Sequence, residues 1–244
     1  MNIERFEDED ALSSALATLV LEAIIVRPSL VLGLPTGRTP LGLYRELRER
    51  SGGNRIDWSQ VRTFNLDEFA GLEPSNRNSY RAFMQEELFD HVSIAPANIG
   101  FLNGVAPDLK AECRRYEEAI EAAGGIDLQI LGIGSNGHIG FNEPAAGLCA
   151  HTHVAELEEA SREANAQWFG GVWTNVPERA LSMGMATILN ARRIVLIATG
   201  GEKADAVYGM IEGLITTLLP ASILQVHPRV TVMVDREAGE RLSG

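Results

Sequence analysis

Basic residues are scarce: 21 Lys and Arg stand against 33 Asp and Glu, a formal net charge of −12. Such a surface repels the phosphates of nucleic acid and the anionic face of a membrane, so neither is expected as a general partner. Cysteine is nearly absent. Two thiols, Cys113 and Cys149, do not make a disulfide framework, and a reducing, cytoplasmic location is the better reading. No apolar run approaches the ~20 residues that cross a bilayer. The acidic start MNIERFEDED lacks the basic flank and apolar stretch of a signal peptide. No fixed-period repeat, low-complexity segment or Pro/Gly/Ser linker divides the 244 residues, so one domain is expected. There is no Gly-x-Ser-x-Gly elbow, which argues against a serine hydrolase. His91, His151, His153 and His227 have no convincing ligand spacing, so no metal is expected.

What is present is an ordinary soluble composition, 45% hydrophobic and 22% charged. Short runs rich in Val, Ile and Leu at 29–34, 61–66, 126–133, 193–198 and 230–234 read as strands buried on both faces. Between them, helical patterns cover 10–26, 40–50, 79–89, 109–123, 177–189 and 202–213. Thr39-Pro40, Asn78-Ser79 and Val176-Pro177 are good start signals for three of them. This alternation predicts an α/β fold, a Rossmann-like open and mainly parallel sheet with helices on both faces. The stretch 145–174 is irregular and reads either as a mobile cover over a site or as an exposed helix with loops.

Ligands of open α/β sheets bind where strands end, and three strand ends carry unusual loops. In Gly33-Leu34-Pro35-Thr36-Gly37-Arg38-Thr39-Pro40, Gly37 permits a tight turn, Thr36 and Thr39 offer hydroxyls, Arg38 adds charge, and a helix N-terminus follows. That is the design of an anion or phosphate cradle, although a plain strand–helix turn with a threonine cap has the same look. In Thr63-Phe64-Asn65-Leu66-Asp67-Glu68-Phe69, two carboxylates follow an apolar run. A half-buried carboxylate there can accept protons, and only one of the pair is expected to face the pocket; a helix cap or surface pair is the alternative. The third loop, Gly132 to Pro144, holds four glycines, His138 and Glu143. An imidazole in a glycine-rich loop at a strand end suits proton shuttling, with Glu143 fixing its tautomer.

Together these segments resemble the glucosamine-6-phosphate deaminase/isomerase family. The likeness runs nearly end to end: LGLPTGRTPLGLY at 32–44, FNLDEFAGL at 64–72, SYRAFM at 79–84, FLNGVAPD at 101–108, GSNGHIGFNEP at 134–144 and LQVHP at 224–228. The wider superfamily includes 6-phosphogluconolactonases and sugar-sensing domains, and the pairing of FNLDE with GHIGFNEP favours the deaminase branch. The resemblance implies conversion of glucosamine 6-phosphate to fructose 6-phosphate and ammonia. The galactosamine 6-phosphate enzyme, 6-phosphogluconolactonase and a non-enzymatic sugar-phosphate sensor are the alternatives. It further implies Asp67 as the base at C2, His138 in ring opening, Asn136 and Glu143 as its supports, and a phosphate on Thr36, Gly37, Arg38, Thr39 and Lys203. No cofactor is implied, because the hydrogen moves within the substrate.

Two departures bear on this. Many members carry Asp where this sequence has Asn136, and an Asn can orient an imidazole but adds no charge. Gln167 stands where an arginine often grips phosphate, so Arg38, or else Arg162, is the expected substitute. The chain also ends soon after Asp235, without the extension of allosteric members, so a monomer or small homo-oligomer is expected.

Overall fold

The computed structural model describes residues 1–52 and 56–243. Its strands are β1 (Asn2–Arg5), β2 (Val31–Leu34), β3 (Arg62–Asn65), β4 (Asp67–Phe69), β5 (Ile99–Gly100), β6 (Leu128–Leu131), β7 (His153–Glu156), β8 (Arg179–Ser182), β9 (Arg193–Ala198) and β10 (Val230–Val234). Seven of them form one sheet in the order β1-β10-β9-β6-β2-β3-β5, and every pairing within it is parallel. The five strands expected from apolar runs all lie in it. Each of β2, β6 and β10 is buried throughout, as a strand covered on both faces must be.

The helices are α1 (Glu9–Val26), α2 (Leu41–Ser51), α3 (Tyr80–Glu87), α4 (Leu109–Ala122), α5 (Glu159–Asn165), α6 (Met185–Leu189) and α7 (Ala204–Glu212). Three are started by side chains that accept from otherwise orphaned N–H groups: Asp8 for α1, Ser79 for α3 and Asp108 for α4. Two apolar clusters lie on opposite faces of the sheet. Leu12, Leu16, Leu43 and Trp58 pack on one face, and Tyr116, Ile188, Val207 and Met210 pack on the other. Among the described residues, no helix is long and apolar enough to cross a membrane.

The chain steps outward from β2 to β3 in one direction and from β6 to β9 and β10 in the other. The strand order therefore reverses between β2 and β6, which is where an open parallel sheet leaves a crevice at its carboxyl edge. At the opposite edge, Asp127 accepts from the N–H of Val31 at 2.9 Å and pairs with Arg27 at 2.5 Å and Arg192 at 3.3 Å. This buried carboxylate clamps the starts of β2, β6 and β9 together.

One expected element is wrong. The segment 177–189, read as a single helix, splits into β8 and the short α6. β8 joins a second, antiparallel sheet, β4-β8-β7. Ala, Leu and Met favour a helix locally, but the backbone of Ala180 and Leu181 is claimed by a neighbouring strand on each side. Phe69 of that small sheet packs in one apolar cluster with Tyr80, Phe141, Phe169 and Val176.

Candidate active site

Each of the three loops singled out above leaves the main sheet on the carboxyl side of the reversal. Between them lies a cavity of about 390 Å³ lined by Thr36, Arg38, Asp67, His138, Gln167 and Lys203, among others. A broader cleft of about 900 Å³ opens beside it and shares Gly37, Tyr80, Gln167 and Trp168; Asp67 and His138 line the smaller cavity and not this cleft.

The first loop turns at Gly37, whose φ of 92° is costly for any other residue. Among the described residues, no protein group accepts from the N–H of Gly37, Arg38 or Thr39. Three donors at the entrance to α2 are therefore free for an anion. Across the cavity, the turn Gly201–Lys203 after β9 presents Lys203. Burial pushes its ammonium below the usual lysine range; Glu202 opposes this and the Arg38 guanidinium adds to it. Two cations lining one cavity are stabilised by an anion between them.

The pleat of β4 separates its two carboxylates, and they do different work. Glu68 turns away and accepts from the N–H groups of Phe69, Tyr80 and Arg81 at 2.8, 3.0 and 2.9 Å, capping α3. Burial drives its pKa up to about 7 against the pull of those three donors. Asp67 faces the cavity. It is 6% exposed, and its one side-chain hydrogen bond is a long one, 3.4 Å, from the Thr36 hydroxyl. Burial first, and the nearby Glu68 charge second, raise its pKa to about 7. A carboxylate that costs this much to ionise is a base poised near neutral pH.

In the third loop, the ring of His138 lies directly on Gly134. A Cβ there would sit 2.3 Å from the imidazole Cε1, so only glycine leaves room. The loop also passes Asp67, since a Cβ on Gly140 would be 3.7 Å from Asp67 Oδ2. His138 Nδ1 lies 3.3 Å from Glu143 Oε2, close enough for a charge interaction but without hydrogen-bond alignment. Among the described residues, Asn136 makes no hydrogen bond to the ring. Its Nδ2 donates to Glu143 Oε2 at 3.0 Å and its Oδ1 accepts from the His138 N–H at 3.1 Å, so it orients the carboxylate and the loop. Burial opposes charge on Glu143, but His138, Ser161 and Asn136 together hold its pKa below the usual range.

A profile of the family described as glucosamine-6-phosphate isomerases/6-phosphogluconolactonase matches residues 7–233. The chain belongs to this family. Within it, a glucosamine-6-phosphate deaminase of Clostridioides difficile is 48% identical over 97% of this chain and 95% of its own length. A Bacillus subtilis relative named glucosamine-6-phosphate deaminase 2 is 49% identical, covering 98% of this chain and 95% of that one. A solved structure described as a monomeric glucosamine-6-phosphate deaminase superposes with a TM-score of 0.95 at 43% identity, over 98% and 99% of the two chains. A Trypanosoma cruzi 6-phosphogluconolactonase, at 21% identity and a TM-score of 0.76, shares the fold.

Against the family pattern, Gln167 does line the cavity, on the 3-10 turn Ala166–Phe169 that follows α5. Arg162 does not take its place. Its guanidinium donates to the carbonyls of Val176 and Thr174 and covers the Trp173 ring at 4.9 Å, so of the two arginines considered only Arg38 reaches the site. Sequence reasoning passed over Tyr80, Ser161 and Asn165. Tyr80 meets Glu68, Ser161 meets Glu143 and Asn165 meets Tyr80 only through tertiary contacts, and nothing in their local spacing signals it.

Proposed function

We propose that this chain converts glucosamine 6-phosphate to fructose 6-phosphate and ammonia in amino-sugar breakdown. The observation that carries the reading is Asp67, a buried carboxylate held near neutrality in the same cavity as His138 with Glu143 and as the Arg38–Lys203 pair. The phosphate rests on Thr36, Gly37, Arg38 and Thr39 with Lys203 opposite. His138 moves a proton between the anomeric hydroxyl and the ring oxygen as the ring opens, and Glu143, held by Asn136, stabilises the imidazolium. As Asp67 takes the proton from C2 and returns it at C1, the C1 carbonyl oxygen gains a proton and the amine loses one. This leaves an imine at C2, to which water adds as ammonia departs. The hydrogen stays within the substrate, so no redox cofactor takes part.

Lactone hydrolysis requires no base at C2, and a sensor has no use for one, so neither accounts for Asp67. The galactosamine epimer would use the same groups with a different contact at the 4-hydroxyl. Incubating the protein separately with glucosamine 6-phosphate, galactosamine 6-phosphate and 6-phosphogluconolactone, and measuring ammonia, ketose phosphate and free acid, tests the reading. Ammonia and fructose 6-phosphate in equal amounts from the first substrate are expected. Absence of ammonia from both amino sugars refutes it, and ammonia from the second alone reassigns the epimer.

In this reading the whole chain is one domain, and the cover is the part of 145–174 built on α5 and the turns after it. Its earlier part is tied down: Glu117 accepts from the N–H and hydroxyl of Thr152 and from the Thr187 hydroxyl. Both cysteines are free thiols, with Cys149 exposed, which suits the reducing cytoplasm. A monomer fits the monomeric relative.

A further inference from the structure

The segment after β7 reaches the catalytic loop through one hydroxyl. Ser161, on α5 and only 2% exposed, donates to Oε1 of Glu143. The other oxygen of that carboxylate accepts from Asn136 and faces His138 Nδ1. Among the described residues, that ring nitrogen has no aligned hydrogen-bond partner, and the carboxylate oxygen 3.3 Å from it is the charge the imidazole feels, so moving Glu143 changes the pull on the ring. The last torsion of a glutamate is broad and soft. A donor on Oε2 alone leaves the group free to swing, and a second donor on Oε1 fixes its plane.

The helix that brings this donor is itself seated by contacts to the site. The Tyr80 hydroxyl donates to Asn165 Oδ1 at 3.0 Å, and Asn165 Nδ2 donates back to the Ser161 carbonyl at 2.9 Å. Leu157 and Phe169, on either side of α5, join the aromatic cluster that includes Phe69, and Phe69 closes the strand that carries Asp67. The segment carrying α5 therefore meets the Asp67 strand through the apolar residues that flank the helix, and the imidazole loop through Ser161.

We infer that Ser161 is a positioning residue, whose hydroxyl couples the seating of α5 over the cavity to the orientation of Glu143 and, through it, of His138. The ring-opening pair is then assembled only when α5 is in place. Such coupling is reciprocal: whatever α5 contributes to ordering Glu143, Glu143 contributes to holding α5. The identity of the step affected rests on the function proposed above, but the coupling does not.

Two measurements on the full chain test this. In steady-state turnover of glucosamine 6-phosphate, Ser161→Ala is expected to lower kcat about 10-fold, in line with losing one hydrogen bond to a charged group, with KM within about 2-fold. Ser161→Thr should restore most of the rate. In hydrogen exchange without substrate, Ser161→Ala and Glu143→Ala should each speed exchange at amides 159–170, and the double variant should be no faster than the faster single one. Additive effects in the double variant, unchanged exchange in Ser161→Ala, or a loss confined to KM each overturn the inference. If the unaltered protein releases no ammonia from either amino sugar, the functional reading fails, and the exchange cycle still decides the coupling. Should Ser161→Ala lose its native far-ultraviolet dichroism, Ser161→Cys, close in volume and a weak donor, serves in both measurements.

Discussion

Replacing Asp67 by Asn should make the protein more stable and less active at once, and the size of the gain follows from burial. The carboxyl pKa stands near 7 in the folded chain against an ordinary value of 3.8, a rise of about three units. At 1.36 kcal/mol per unit, ionising it inside the fold costs up to about 4 kcal/mol relative to the unfolded chain. The sign follows from linkage. Below about pH 4 the group is protonated in both states and costs nothing. Between pH 4 and 7 the unfolded chain ionises first and native stability drains away, and above pH 7 the full penalty applies. Asn has the same shape, can still accept from Thr36, and never ionises. Allowing half the ceiling for local relaxation and for the unpaired amide N–H groups of Asn, Asp67→Asn should gain about 2 kcal/mol at pH 8 and nothing near pH 4. For a chain of this length that is roughly 4–8 °C in Tm. Paired urea titrations at pH 4.5, 6 and 8 measure the difference, and turnover should fall by a factor of about 10² to 10⁴. A variant no more stable than the parent at pH 8, with native dichroism, would refute the claim that the fold holds this base at an energetic cost.

Three further outcomes follow from the geometry. Arg38→Ala should raise KM for the phosphorylated substrate about 10-fold or more while kcat moves less, since a cation on the phosphate binds ground and transition states alike; an unchanged KM removes Arg38 from the phosphate site. Gly134→Ala puts a methyl 2.3 Å from the His138 ring, so turnover should fall at least 100-fold, in line with the cost of a ~1 Å misplacement, while the fold survives; near-normal turnover would mean the imidazole position is not critical. Asp127→Ala removes the clamp at the far edge of the sheet and should cost about 1–3 kcal/mol in denaturation, because its half-exposed arginine partners regain water. The activity of each folded molecule should stay the same, and a loss there would show that the two edges of the sheet communicate.

The parallel sheet was readable because strands buried on both faces must be apolar throughout, and 193–198 or 230–234 have no other comfortable reading. β1 was missed for the converse reason. It is a mostly exposed edge strand, held by its pairing to β10 and by Arg5 donating to the carbonyls of Leu242 and Ser243, none of which leaves a pattern in Asn-Ile-Glu-Arg. β8 was misread because its helix-forming residues become a strand only through the partners that flank it. In the site, the glycine spacing around His138 and the acidic pair at 67 and 68 advertised themselves, since chemistry there demands unusual residues. The work of Asn136 did not, because an amide beside a histidine suggests contact with the ring rather than with a carboxylate seven residues on. Ser161 was invisible: a serine in a helical stretch is commonplace, and its partner lies 18 positions away.

The two carboxylates on β4 differ by a single step along the chain, yet one faces the cavity and the other caps a helix. Adding one residue to the bend between β3 and β4 would keep both carboxylates in the chain and still exchange their posts, pointing Glu68 inward and Asp67 outward. The spacing of this short connection is thus as much a part of the active site as the aspartate itself. Chain length here should tolerate no drift, even where the neighbouring residue types can vary.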